Sequence, residues 1–119
     1  TTRIAVSGSL PFLSPVVAAQ VYRIAGEALT NAVRHAGASR VDVVLGREGE
    51  DATIRVEDDG GGMPDGAERR GHGLRSMQGR AQTIGATLEI GTGEGGRGTC
   101  VAVTVPAATR MAAGPGARR

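Results

Sequence analysis

The sequence contains no lysine and no tryptophan, and only one cysteine, one phenylalanine and one tyrosine among its 119 residues. Each shortage excludes something. Without Lys there is no P-loop, whose grip on a nucleotide depends on a Lys at the phosphates. A single Cys cannot form an internal disulfide. Cys100 and two histidines at distant positions give no zinc-ligand spacing. All fourteen basic residues are Arg, spread along the chain at a net charge of only +2, with no interleaved aromatics. That excludes a nucleic-acid surface as the main business of the chain. No apolar run approaches the roughly 20 residues that span a bilayer, and no signal peptide is visible. The expectation is a cytoplasmic domain without direct membrane contact. The chain opens without Met and directly in a strand pattern, which predicts a piece of a longer protein whose other parts could be membrane-anchored.

What is present is aliphatic. Thirty-nine per cent of the residues are hydrophobic, so the core must be Val, Ile, Leu and Ala, which favours packed α/β layers. Twenty glycines far exceed the usual share of about 7% and must serve loops. Strands are predicted over Thr1–Ser7, Val41–Leu45, Thr53–Glu57, Ala86–Ile90 and Thr99–Val105 by alternation and bounding turns. Ser14-Pro15 reads as a helix start, a Ser cap followed by Pro at the first helical position. The helix runs to about Ala36, with Gly37 as its stop. A second, shorter amphipathic helix spans Leu74 to Ile84. Gly91 to Gly98 reads as a flexible turn. Residues 107–119, rich in Ala, Gly, Pro and Arg without period, read as a disordered tail, leaving 1–106 as the domain. Strands in adjacent pairs predict a mixed, mostly antiparallel sheet with helices on one face, a two-layer α+β sandwich.

The stretch Glu27–Ala36, EALTNAVRHA, stands out within the long helix. Glu27, Asn31 and His35 recur at steps of four, with Arg34 beside them. The rest of the helix surface, Val21, Tyr22, Ile24, Ala25, Ala28, Leu29, Ala32 and Val33, is apolar. Such a polar stripe is either a solvated face or a place to organise a metal and a polyphosphate. Two glycine-rich segments bear on the choice. Asp58-Asp59-Gly60-Gly61-Gly62-Met63 ends a strand, where glycines admit a flat ring to the backbone and a buried Asp58 needs a donor. Gly71-His72-Gly73-Leu74 opens a helix, whose free N–H groups suit an anion. A dinucleotide fold does not fit, because no G-x-G-x-x-G joins the first strand and helix. Nor does any Ser sit in a nucleophile elbow.

These segments, in this order, resemble the boxes of the GHKL ATP-binding superfamily. EALTNAVRHA is similar to its N box, DDGGGM to its D-x-G-x-G box, GHGL to the G-x-G-L box, and Gly98-Thr99 to the G-T pair of the last strand. VYRIAGEALTNAVRHA with GLRSMQGRAQTIGATLEI resembles, more closely, sensor histidine kinases of the NarL/DesK type. The resemblance implies a Bergerat fold holding ATP and Mg2+. It implies Asn31 as metal ligand, and Glu27 orienting a metal-bound water or assisting as base. Arg34 and His35 would lie near the phosphates, and Asp58 would accept from the adenine amino group with Thr99 nearby. Gly60, Gly62 and Met63 would border the base, and Gly71, His72, Gly73 and Leu74 would wrap the phosphates. The implied partners are the dimerisation and histidine-phosphotransfer domain of the same kinase, absent from this chain, and a response regulator of the NarL/LuxR type. Both histidines fall inside nucleotide boxes, so the chain alone is expected not to phosphorylate itself. The alternatives weighed are an anti-sigma-factor serine kinase, a clamp ATPase of the gyrase or chaperone type, and a domain that only scaffolds.

Overall fold

The computed structural model describes residues 2–34, 37–61, 74–93 and 96–111. His35, Gly62, Met63, Gly71, His72 and Gly73 lie outside the described residues, as does 112–119 of the expected tail. The elements are β1 (Arg3–Gly8), α1 (Pro15–Arg34), β2 (Arg40–Glu48), β3 (Asp51–Asp58), α2 (Leu74–Thr83), β4 (Thr87–Thr92), β5 (Thr99–Val105) and a short α3 (Ala107–Arg110). Five strands form one sheet in the order β1-β2-β3-β5-β4. β1 and β2 are parallel, and the other pairings are antiparallel. A parallel pair cannot be joined by a hairpin, and α1 supplies the crossover. The expected mixed, mostly antiparallel sheet with helices on one face is the one found.

Side chains of the central strands alternate as the pleat requires. Val41 and Val43, then Ala52, Ile54 and Val56, then Val101, Val103 and Val105 are buried beneath the helices. α1 supplies Val17, Val21, Ile24, Ala28 and Ala32, and α2 supplies Met77 and Ala81. α1 packs on β3, β5 and α2. Its start matches the expected cap: the Val17 N–H donates to Ser14 Oγ at 3.4 Å and the Ala18 N–H to the Ser14 carbonyl at 2.8 Å. At its far end Gly37 takes φ +62°, and the Ala38 N–H returns to the Ala32 carbonyl at 3.2 Å. That bond spans six residues, as in a Schellman stop.

Two burial patterns are not evident from the sequence, and one expectation needs correction. Tyr22 is 70% exposed and Val33 44%, so the apolar face of α1 is narrower than the sequence pattern implies. At about 100° per residue both fall more than ~100° from the centre of the buried stripe. β1 is exposed along its whole length, Ile4 and Val6 included, because it is an edge strand beyond β2 while α1 lies over β3 and β5. The tail is not disordered from 107: Ala107–Arg110 is a helical turn. The Ala107 N–H donates to Asp51 Oδ1 at 2.8 Å, and the Arg110 guanidinium donates to the Phe12 carbonyl at 3.1 Å. The Ser14 N–H donates to the Arg110 carbonyl at 2.8 Å. One helical turn is too short to print a period on the sequence, so composition alone misreads it.

Candidate functional site

The site grows from two places that the fold brings to the same end of the sheet. The first is the C-terminal half of α1. Glu27 and Asn31 are half-buried and Arg34 is exposed. By helical geometry Asn31 falls ~60° and Glu27 ~100° from the centre of the buried stripe. They therefore flank the packed face of the helix rather than oppose it, at the margin where α1 meets the sheet.

The second is the end of β3. Asp58 stands opposite Val41 of β2 and Thr99 of β5. Val41 and Thr99 are buried among the core, so Asp58 shares the helix-facing side of the sheet with Thr99. Asp58 is half-buried and is not isolated. Its Oδ1 accepts from the Gly60 N–H at 2.8 Å, an Asx-type turn that throws the chain away from the strand. Part of the donor demand that the sequence assigned to a ligand is thus met by Gly60.

Two glycines hold the other side of this turn. A Cβ on Gly98 would stand 1.8 Å from the Asp58 carbonyl oxygen, and Gly98 has φ +71°. A Cβ on Gly93 would meet the Arg97 carbonyl at 2.4 Å and the Asp58 carbonyl at 3.3 Å. The Gly93 N–H donates to the Gly98 carbonyl at 3.2 Å. Gly93 and Gly98, both within the Gly91–Gly98 segment expected to be a flexible turn, are therefore packed against Asp58, and Gly91 belongs to β4. Gly98 belonged to the expected G-T pair; Gly93 did not, and nothing in a run of glycines marks it out.

Asp59, given no role by the sequence pattern, ties this turn to the start of β2. Its Oδ1 accepts from the Ser39 N–H (2.9 Å) and the Arg40 N–H (3.0 Å), and its Oδ2 from the Ser39 hydroxyl (2.7 Å). The Ser39 hydroxyl, then the Arg40 amide, hold its carboxyl below the usual carboxylate range. Leu74 begins α2 and packs half-buried against the core, so the segment expected to wrap phosphates adjoins the start of this helix. Arg80 of α2 donates to Gln20 Oε1 of α1 at 3.3 Å, tying the two helices together.

The opposite face of the sheet is polar and open. A cleft lined by Ser39, Arg40, Asp42, Glu57 and Arg97 runs from this face to Asp58 and Asp59 at the strand end, and Asp42 stands opposite Glu57 in register. Cys100 lies on this open face, half-buried beside Arg55 and Glu57. Burial pushes its thiol up, so it stays protonated at neutral pH and is a poor nucleophile.

Residues 16–109 match the family described as "Histidine kinase-, DNA gyrase B-, and HSP90-like ATPase". The chain belongs to this ATPase family. Among curated relatives, this ATPase domain is 37% identical over 86 residues to the signal transduction histidine-protein kinase/phosphatase UhpB of Salmonella typhimurium, covering 72% of the chain and 17% of that protein. It is 39% identical over 95 residues to the sensor histidine kinase LiaS of Bacillus subtilis, covering 79% of the chain and 26% of the relative. The chain therefore spans about a quarter or less of the length of these relatives. Among solved structures, the histidine kinase domain of the Erythrobacter litoralis EL346 blue-light activated histidine kinase superposes with a TM-score of 0.78 at 26% identity. That match covers 92% of this chain and 56% of the other. The ATP binding domain of PrrB from Mycobacterium tuberculosis shares the fold, with a TM-score of 0.72 at 24% identity over 88% of this chain and 79% of its own.

Whether the residues present suit the Mg2+ that accompanies ATP can be judged from donor chemistry. Among the described residues no group of three or more His, Cys, Asp or Glu side chains converges on one point. A carboxamide oxygen at Asn31 with a carboxylate one turn earlier suits a hard, partly hydrated cation that brings phosphate oxygens as its other ligands. The site fits a metal that arrives with its nucleotide.

Proposed function

We propose that this domain is the ATP-binding catalytic part of a sensor histidine kinase of the NarL/DesK type. It binds Mg-ATP and donates the γ-phosphoryl group to a His on a separate dimerisation domain, from which an Asp of a NarL/LuxR-type response regulator takes it. The observation that supports the reading is the tie between the end of α1 and the Asp58 turn: the Ala38 N–H returns to Ala32, and Asp59 accepts from Ser39 and Arg40. The α1 margin bearing Glu27 and Asn31 and the Asp58 turn backed by Gly98 and Thr99 are joined through Asp59.

Asn31 presents an oxygen to the cation without adding charge, and Glu27 orients a bound water or accepts the proton of the acceptor imidazole. Arg34, with His35, neutralises phosphate oxygens. Asp58 accepts from the adenine amino group, with Thr99 beside it. Gly60, Gly62 and Met63 border the base, and Gly71, His72, Gly73 and Leu74 enclose the phosphates. Mg2+, held at Asn31, would supply charge neutralisation to the polyphosphate. The protein's share is otherwise positioning, which is most of what phosphoryl transfer requires. Among the described residues no helix is long and apolar enough to cross a membrane, and the proposed setting is the cytoplasm.

Equilibrium titration with Mg-ATP tests the reading. Saturable, Mg-dependent binding that prefers adenine to guanine nucleotides is expected; failure to bind ATP overturns it. Addition of a His-bearing dimerisation domain from a close relative, with γ-labelled ATP, should place acid-labile phosphate on that domain.

A further inference from the structure

The proposed function needs two half-sites at a fixed spacing: Glu27, Asn31 and Arg34 on α1 for the polyphosphate, and Asp58 with Gly60 for the base. The β2–β3 ladder ends at the pair Val41–Asp58, so one residue further the two chains would be free to splay. Instead the Asp59 carboxylate gathers the Ser39 N–H (2.9 Å), the Arg40 N–H (3.0 Å) and the Ser39 hydroxyl (2.7 Å). Its own N–H donates to the Arg40 carbonyl at 3.2 Å. Ser39 directly follows Ala38, which is bonded back to Ala32 on the last turns of α1. Asp59 directly follows Asp58, whose carbonyl is pressed against Gly98. The carboxylate gathers three convergent bonds where the ladder stops, each to a charged acceptor.

We propose that Asp59 is a positioning residue: its clamp on Ser39 and Arg40 holds the phosphate half and the base half of the nucleotide site at the separation of one ATP molecule, without touching the nucleotide. The inference rests on the ATP-binding reading above and adds to it the residue at the first variable position of the D-x-G-x-G box. A ligand that bridges both halves depends on the clamp, and a ligand that fills only the base half does not.

The test compares Mg-ATP with adenosine on the 119-residue chain. Asp59→Ala should weaken Mg-ATP binding about tenfold, the scale of one charge-assisted hydrogen bond, and change adenosine binding less than about twofold. Asp59→Asn should restore Mg-ATP affinity. Its Oδ1 still accepts from both amides, and its N–H can donate to the Ser39 hydroxyl, which reverses its role. Ser39→Ala removes one bond of the three and should give a smaller loss of the same selectivity. It also keeps the question decidable if Asp59→Ala fails to fold, and melting temperatures are recorded for every variant. Equal losses for Mg-ATP and adenosine, or no loss in either Ala variant, would overturn the clamp. A wild-type chain that does not bind Mg-ATP would instead overturn the ATP-site reading, and the clamp with it.

Discussion

At the scale of single residues, the site is a set of small groups whose roles differ sharply. Asn31→Ala removes the carboxamide oxygen proposed for the cation while leaving the buried stripe of α1 intact. Mg-dependent ATP binding should fall below detection with the circular dichroism spectrum unchanged; loss of the fold would instead return Asn31 to the rank of an ordinary helix residue. Gly98→Ala acts on the backbone. Its Cβ would stand 1.8 Å from the Asp58 carbonyl at a φ of +71°, so chemical denaturation should show a loss of about 1–3 kcal/mol. Asp59 carries a pH signature. Its carboxyl is held below the usual range by the Ser39 hydroxyl and the Arg40 amide. A lowered folded-state value means that the stabilisation is full above the ordinary Asp value of 3.8 and is lost as pH falls through the lowered one. Asp59→Asn should therefore flatten the acid limb of the stability-versus-pH curve below about pH 4, with its loss of stability falling in the range above, where the carboxylate is charged.

At the scale of elements, α1 is both the main pillar of the core and the carrier of the phosphate half-site. Ile24 is 1% exposed at the centre of its stripe, and Ile24→Ala should cost about 2–5 kcal/mol in urea denaturation. The elements themselves were largely legible in the sequence. Ser14-Pro15 and Gly37 bracketed α1, β5 was read at Thr99–Val105, and the other strands differ by a few residues at their ends, as boundaries commonly do. What was not legible is which faces are covered. Ile4 and Val6 alternate as a half-buried strand should, yet they are exposed because no helix lies over β1. α3 was misread because a single turn has no period, although Arg110 ties it both to Phe12 and, at 3.5 Å, to Glu50 of the β2–β3 turn. Truncation after Pro106 should lower stability by about 1–3 kcal/mol, the worth of two or three such bonds, seen as an earlier denaturation midpoint.

At the scale of the whole molecule, a nucleotide that bridges α1 and the Asp58 turn should stabilise the domain in proportion to its affinity. At a hundredfold excess of Mg-ATP over its Kd the gain should be about 2.7 kcal/mol, read as a rise in melting temperature that a chelator largely reverses. With γ-labelled ATP the chain by itself should acquire no phosphate on His35 or His72; label on either would show that the acceptor function is not confined to a separate domain.

The sequence by itself determined the parts and their order: an aliphatic α/β domain, a long capped helix with Glu27 and Asn31 one turn apart, a strand ending in Asp58, and glycines where the backbone must be thin. These are local properties, written in periodicity, caps and spacing, and short-range physics suffices to read them. Only the tertiary structure decided that Gly98 must be a glycine because Asp58 presses against it. It also decided that Asp59 grips Ser39 across a separation of twenty residues, that β1 lies uncovered, and that Cys100 faces the open side of the sheet. The physical reason is the same in each case: a residue's pattern reports which side of its own element it occupies, whereas its contacts depend on which distant element folds against that side.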